Sequence, residues 1–471
     1  MLRFILILIV AMTGSCPAQD MVMDTPHAAQ AITRPMPVPS AQVRAPLPRP
    51  AGQERTHLVF GYHPYWIADS VTRYYDFSLL SHLAYFSAEV NAANGEFLTV
   101  RDWRTAPVLD RAHDAGVKIQ LTVTNFGTAD NRSLLSSFAA RDTLIQRIVT
   151  LLKERSADGV SIDFESVPGD QRDNLTAFFA ALDAALAAAL PSAEISAAVP
   201  AVDWNNAWDV PALREYIDIF FLMCYDYFWS SSSTAGPVSP IQGSSYNVTR
   251  SLTTWLQNGT PPARLVLGVP YYGYDWPVTD DAAGAATTGR ATARTYSYVQ
   301  QMSGAQQKQW SEIYRNPWFP YRLADWRQVW FDDVASLGEK YDLVHDLGLA
   351  GTGIWALGYD ADRVELRELL REKFTRVTTV DTEDVPSITS FTLYPQPARS
   401  GGEVTVFLET SAQQGFEIDV VDLLGRVRWS GDAGRNAMSA KIPLASLAPG
   451  VYVLSVRDGL RRMSATLMIT D

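Results

Sequence analysis

Between residues 57 and 376, short apolar and β-branched runs alternate with amphipathic stretches. Apolar runs of four to eight residues bounded by turn residues predict strands. They fall at His57–Tyr62, His82–Ser87, Val117–Thr124, Gly159–Phe164, Glu194–Val199, Ile217–Met223, Leu265–Val269 and Gly351–Trp355. Between them, Asp142–Glu154 sets Leu144, Ile145, Ile148, Val149 and Leu152 on one helical stripe. Leu175–Leu190 is rich in Ala and Leu, both strong helix formers, and Arg363–Arg371 closes the series. Strand–helix repeats of this kind predict an α/β fold, a (β/α)8 TIM barrel. A doubly wound open sheet is the rival, but no GxGxxG follows the first run. The interval 277–347 is longer than one helix needs and holds its own strand-like piece, Gln328-Val329-Trp330-Phe331. It predicts a small α+β insertion between strands seven and eight.

The pattern changes at both ends. Residues 386–471 carry alternating runs at Val404–Leu408, Phe416–Asp422, Val451–Val456 and Ser464–Ile469, punctuated by Gly and Pro. That predicts a C-terminal β-sandwich domain. A polar linker around Thr378–Pro386 separates it from the barrel, 57–376. At the other end, Arg3 precedes the apolar run Phe4–Met12, which is too short to span a bilayer. Small residues follow to Ala18, so 1–18 reads as a signal peptide. Lipidation at Cys16 is a second reading, against which Thr13-Gly14-Ser15 lacks the usual Leu. Residues 19–56 hold Pro26, Pro35, Pro37, Pro39, Pro46, Pro48 and Pro50 and read as an extended linker. No other run is long enough for a transmembrane anchor.

Composition narrows the function classes. With 39 Lys plus Arg against 51 Asp plus Glu, the net charge is −12. That argues against a nucleic-acid partner and against docking on anionic lipid. The 13 Trp, 20 Tyr and 19 Phe suit a carbohydrate binder, although most aromatics serve a core. Cys16 and Cys224 exclude a disulfide framework, and the six His show no ligand spacing. No metal or cofactor is expected.

The chemistry concentrates in Asp158-Gly159-Val160-Ser161-Ile162-Asp163-Phe164-Glu165. Side chains alternate along a strand, so Ser161, Asp163 and Glu165 share one face and Val160, Ile162 and Phe164 the other. In a barrel the first set points inward and Glu165 reaches the C-terminal mouth, where barrel enzymes keep their chemistry. Two carboxyls on one face couple, because one negative charge disfavours ionisation of the other. Glu165 is thus a candidate general acid, which a poor leaving oxygen such as a glycosidic one requires. The alternative is a solvated acidic strand end, but inward polar groups on a central strand are costly without a function.

This strand resembles the DGxDxDxE pattern of the family 18 glycoside hydrolases, which include chitinases. Asp158, Gly159, Asp163 and Glu165 match, and Ser161 departs where many members have Asp. Met223-Cys224-Tyr225-Asp226 is similar to the family's MxYD, and Gly268-Val269-Pro270-Tyr271-Tyr272-Gly273 resembles its GxPxYG. Gly353-Ile354-Trp355 is similar to the eighth strand, and 277–347 to the insertion domain. The resemblance implies a secreted hydrolase of β-1,4-linked N-acetylglucosamine glycans. It implies Glu165 as acid, Asp163 on the substrate's acetamido group, which is itself the nucleophile, and Tyr225 donating to that group. Asp226 would hold the distorted sugar over a Trp355 floor. Met223, Ser161 and Tyr272 come with the same motifs, and Tyr62, Trp66 and Trp276 are candidate cleft walls. Tyr271-Tyr272-Gly273-Tyr274-Asp275-Trp276 resembles the branch acting on bacterial cell-wall glycans, which keeps peptidoglycan beside chitin as substrate. The alternatives are a catalytically inactive lectin on the same barrel and a surface adhesin. Lectin members typically lose the acid or the Asp before it, and both are present here.

The tail resembles the C-terminal sorting domain of type IX secretion. The matching pieces are Tyr394-Pro395-Gln396-Pro397-Ala398, Asp422-Leu423-Leu424-Gly425-Arg426 and Leu447-Ala448-Pro449-Gly450-Val451-Tyr452. The resemblance implies the secretion machinery as partner and a secreted or cell-surface location. A carbohydrate-binding sandwich is the alternative, for which one tryptophan, Trp429, is a meagre platform.

Overall fold

A computed structural model describes residues 53–377, 390–412, 415–423, 425–458 and 461–471. The signal peptide, Cys16, nearly all of the Pro-rich linker and the 378–386 linker lie outside the described residues.

Among the described residues, eight parallel strands close into a barrel. In chain order they are Leu58–Pro64, His82–Val90, Lys118–Phe126, Gly159–Glu165, Glu194–Pro200, Ile219–Met223, Leu265–Pro270 and Gly351–Trp355. Closure is made by the first strand, which pairs with the eighth through Gly351 and Leu58 and with the second through Phe60 and His82. The predicted strands are all present, and several run one to three residues further toward the mouth.

The predicted helices form for local reasons. Phe138–Arg155 starts where the Ser137 side chain accepts a hydrogen bond from the Ala140 N–H, and ends at Ser156 in the left-handed region, φ 49°. Its buried face is Ala140, Leu144, Ile145, Ile148, Leu151 and Leu152. Arg172–Ala189 buries Leu175, Phe178, Phe179, Leu182 and Leu186. The Phe178 ring meets Phe164 of strand four at 5.4 Å, so the apolar face of that strand does pack outward on helices.

Inside the barrel, Phe221 of strand six fills the lower layer. Its ring meets Phe60 at 5.6 Å and Tyr62 at 4.9 Å. A Cβ at Gly353 would lie 2.0 Å from that ring and one at Gly268 2.6 Å. Strands seven and eight therefore carry glycine here because the neighbouring side chain already occupies the space.

The insertion is an antiparallel sheet of five strands among the described residues: Tyr272–Val278, Thr292–Thr295, Gln309–Ser311, Asn316–Arg322 and Trp326–Trp330. It begins at Tyr272, before the predicted start, because the chain leaves barrel strand seven at Pro270 and turns directly into the new sheet. It ends before the helix Val334–Asp346, which packs on Glu365–Phe374 as a barrel helix. An Asp333 capping box starts that helix.

The tail forms two sheets around its own core of Val404, Val406, Phe416, Ile418, Val420, Ile442, Leu454 and Ile469. Its strands Phe391–Tyr394, Val427–Ala433 and Ala437–Pro443 were not predicted. Val427–Ala433 turns Trp429 and Ala433 toward the core without burying either fully, and Gly431 between them leaves the apolar side of its alternation weak. Val421, Val451 and Val453 turn away from that core and join the apolar cluster of the barrel.

Candidate active site

Strand four delivers the acidic residues to one end of the barrel interior. Ser161 and Asp163 are buried, and Glu165 at the last position is partly exposed. The backbone after it turns sharply: Ser166 has φ 63°, a left-handed conformation uncommon for a residue with a side chain. Asp226 beyond strand six has φ 58°. Two such residues thus border the same mouth.

Ser161 is held from across the barrel. Its Oγ lies 2.8 Å from the Tyr62 hydroxyl of strand one. Burial, and then the charge of Asp163, push the Tyr62 phenol well above its ordinary range. Tyr225, just past strand six, is raised too, first by burial and then by Tyr62, Asp163, Glu165 and Asp226. Tyr225 therefore sits in the field of the carboxylates of strand four and of Asp226 and keeps its proton, as a hydrogen-bond donor must.

Asp226 is fixed by the insertion. The Tyr272 hydroxyl donates to its Oδ1 at 2.7 Å, and the Tyr225 and Tyr272 rings meet edge to face at 6.3 Å. Met223, the last residue of strand six, is partly exposed beside them. Trp355 closes the site from strand eight. Its ring is packed by Phe86 at 4.8 Å, Tyr62 at 5.8 Å and Trp66 at 6.3 Å, and the residue is 1% exposed.

Most of the residues singled out from the sequence thus converge on one mouth: Glu165, Asp163, Ser161, Tyr225, Asp226, Met223, Tyr272, Tyr62 and Trp355. Trp276 does not join them. It is 0% exposed and packs edge to face on Tyr274 at 5.5 Å inside the insertion, so it has no surface to offer a sugar. Tyr62 and Tyr272 are also enclosed and act through their hydroxyls on Ser161 and Asp226 rather than as open walls. Trp66, partly exposed, remains on the rim.

One residue escaped the sequence reading. Asn131 is fully buried on the helix Thr128–Ser136, and its Nδ2 donates to the Glu165 carbonyl oxygen at 2.6 Å. It also donates to the Gly127 carbonyl at 3.0 Å and accepts from Asn125 Nδ2 at 3.0 Å. This clamp fixes the backbone that carries Glu165. A single Asn in the polar stretch Thr128–Arg132 has no periodicity to mark it. Among the described residues, no group of three or more His, Cys, Asp or Glu is placed to hold a metal ion, and no helix is long and apolar enough to cross a membrane.

The chain is similar in sequence and fold to known proteins. The profile of Glycosyl hydrolases family 18 matches residues 59–360, and that of the Secretion system C-terminal sorting domain matches 392–470. Chitotriosidase-1 of Mus musculus is 29% identical over 263 residues, covering 50% of this chain and 56% of that protein. The cortical fragment-lytic enzyme of Bacillus subtilis (strain 168) is 26% identical over 254 residues, covering 51% of this chain and 57% of that protein. The chain thus spans about half the length of these curated relatives. The family 18 chitinase of Cycas revoluta, solved in complex with (GlcNAc)3, superposes with a TM-score of 0.61 at 21% identity, covering 67% of this chain and 99% of that one. A closed barrel of this topology, a family match through all eight of its strands and a sorting domain behind it lead to one conclusion: the chain is a secreted or cell-surface protein that belongs to glycoside hydrolase family 18.

Proposed function

We propose that the protein hydrolyses β-1,4-linked N-acetylglucosamine glycans, chitin or peptidoglycan, with retention and with the substrate's own acetamido oxygen as nucleophile. The observation that carries this is the joint presence of Asp163 and Glu165 on the inward face of strand four, with Tyr225 in their field. In this reading Glu165, at the open end of the strand, protonates the glycosidic oxygen. Asp163, one step deeper, receives the acetamido N–H and stabilises the positive charge that grows as the ring closes. Tyr225 donates to the acetamido oxygen and orients it toward the anomeric carbon. Asp226, fixed by Tyr272, accepts from a ring hydroxyl and holds the sugar distorted. Trp355 is 1% exposed, so it forms no open platform and backs the site from within, packed by Phe86 and Tyr62.

No protein carboxylate is then needed as nucleophile, which is the substrate-assisted exception to the two-carboxylate rule. Retention of both carboxylates favours hydrolysis over a lectin role. The test is Glu165→Gln, assayed by product analysis on chitin oligomers beside purified peptidoglycan. Loss of a general acid typically lowers turnover by about 10²–10⁴-fold, while binding persists. Undiminished turnover in the variant refutes the assignment.

A further inference from the structure

The ring of helices around the barrel is interrupted on one side. The helices before strands four and five, Phe138–Arg155 and Arg172–Ala189, have 18 residues each, whereas the one after strand five, Val210–Leu213, has four. A groove of about 630 Å³ lies beside this short helix. Its lining includes Arg172, Trp204, Trp208, Tyr246, Arg250 and Trp255. Barrel helices run antiparallel to the strands, so the start of Val248–Gln257 stands at the mouth end. The groove therefore descends from the rim, at Trp204, Tyr246 and Arg250, along the outer wall past Trp255.

Its upper end is an aromatic platform. Trp204 is 66% exposed, which is unusual for the largest apolar side chain. Its ring meets Tyr246 edge to face at 4.6 Å, and the Arg250 guanidinium lies over the other ring at 5.0 Å. The loop beneath is rigid. Asp203 accepts the Ala207 and Trp208 N–H groups at 3.0 and 2.9 Å, and Asn205 Nδ2 donates to the Val167 carbonyl at 2.9 Å. Arg172 is paired with Asp209 at 3.3 Å, so with Asp203 and Arg250 the local charge balances. A rigid exposed indole, hydrogen-bond donors beside it and little net charge suit a neutral pyranose ring better than an ionic partner.

We propose that this groove is a second glycan-binding site, outside the catalytic pocket, that holds a strand of the amino-sugar polymer. Trp204 stacks on a sugar face, and Arg250 donates to its hydroxyl or acetamido oxygens. The proposal rests on the glycan reading above only in its choice of ligand.

The experiment uses the full-length Glu165→Gln chain, in which turnover is lowered by about 10²–10⁴-fold while binding persists, in pull-downs on insoluble chitin and on purified peptidoglycan. Trp204→Ala should weaken retention about fivefold or more, as truncation of an aromatic anchor does. Arg250→Gln should weaken it less, and Trp204→Phe should keep most of it. In the active chain, Trp204→Ala should leave kcat and KM on a short soluble chito-oligosaccharide within about twofold, the behaviour of a surface substitution away from the chemistry. Unchanged retention on both polymers overturns the proposal. So does a KM on the short substrate that rises in step with the loss of retention, which would place Trp204 in the catalytic cleft. If neither polymer is cleaved by the active chain but retention still depends on Trp204, the hydrolase reading fails and the second site stands.

Discussion

The serine at 161 permits a sharp test of the electrostatics of strand four. Ser161→Asp adds a second carboxyl to the inward face, fully buried, two residues from Asp163. Two residues of strand rise separate the groups by about 6.6 Å. At an effective dielectric of about 20, the repulsion is roughly 2.5 kcal/mol, equivalent to about 1.8 on the pKa scale. Burial acts in the same direction and can be larger still for a fully enclosed group. It more than offsets the bond that the Tyr62 hydroxyl would donate to the new carboxylate. The introduced group should therefore titrate near pH 6 instead of about 3.9. Because its folded value is raised, any stability it contributes is present below about pH 4 and is lost as pH rises through about 6. Relative to the parent chain, the variant should be least stable at pH 7. A loss of about 2.5 kcal/mol lowers Tm by roughly 4 °C in a domain of about 320 residues. Thermal unfolding of both chains at pH 4, 5, 6 and 7 measures it. The acid limb of kcat/KM should move upward with the same midpoint. A Tm difference that does not change between pH 4 and pH 7 would refute the coupling, and with it the placement of Ser161 beside a charged Asp163.

Other outcomes follow from the same geometry. Asn131→Ala removes the donor to the Glu165 carbonyl and leaves buried backbone acceptors less satisfied. It should lower stability by about 1–3 kcal/mol and reduce kcat more than it raises KM, as denaturant melts and steady-state kinetics will show. A thiazoline analogue of the cyclised acetamido intermediate should inhibit at least about 10²-fold more tightly than a comparable N-acetylglucosamine sugar. A glycosyl ester detected on Asp163 or Glu165 by mass spectrometry would contradict that route. A chain ending near Thr375 loses Val421, Val451 and Val453 but none of the residues at the mouth. It should keep its activity on soluble glycans and remain in the periplasm of the native host, as cell fractionation will show.

Much of the fold was legible because a barrel strand is an uninterrupted apolar run between helices whose periodicity is equally plain. Boundaries were less so at the mouth. Strand one continues through His63 and Pro64, and strand two through Ala88 and Glu89, where polar residues interrupt the apolar run but backbone pairing persists. The insertion was placed late because Tyr272-Gly273-Tyr274 follows Pro270 with almost no polar break. Only the antiparallel pairing of Tyr274 with Trp330 shows that a different sheet has begun.

The site divides along the same line. Residues on strand ends were readable because a period of two dictates which face they share, and Ser161, Asp163 and Glu165 needed nothing else. Aromatic residues were not readable in this way. Trp276 and Trp204 are chemically identical, yet the first has no exposed surface and the second has 66%. What separates them is tertiary. Trp276 lies mid-strand, where Trp276 pairs with Gln328 and its neighbours close over the ring. Trp204 lies in a loop whose Asp203 and Asn205 are spent on backbone hydrogen bonds, beside a helix too short to cover it. Asn131 was invisible for the converse reason. Its role depends on three carbonyl groups and a second amide, of which the Glu165 carbonyl is brought in only by folding. A carboxylate pair announces itself through strand register, whereas the groups that position it, and the surface that holds the rest of a polymer, exist only once the loops have been fixed.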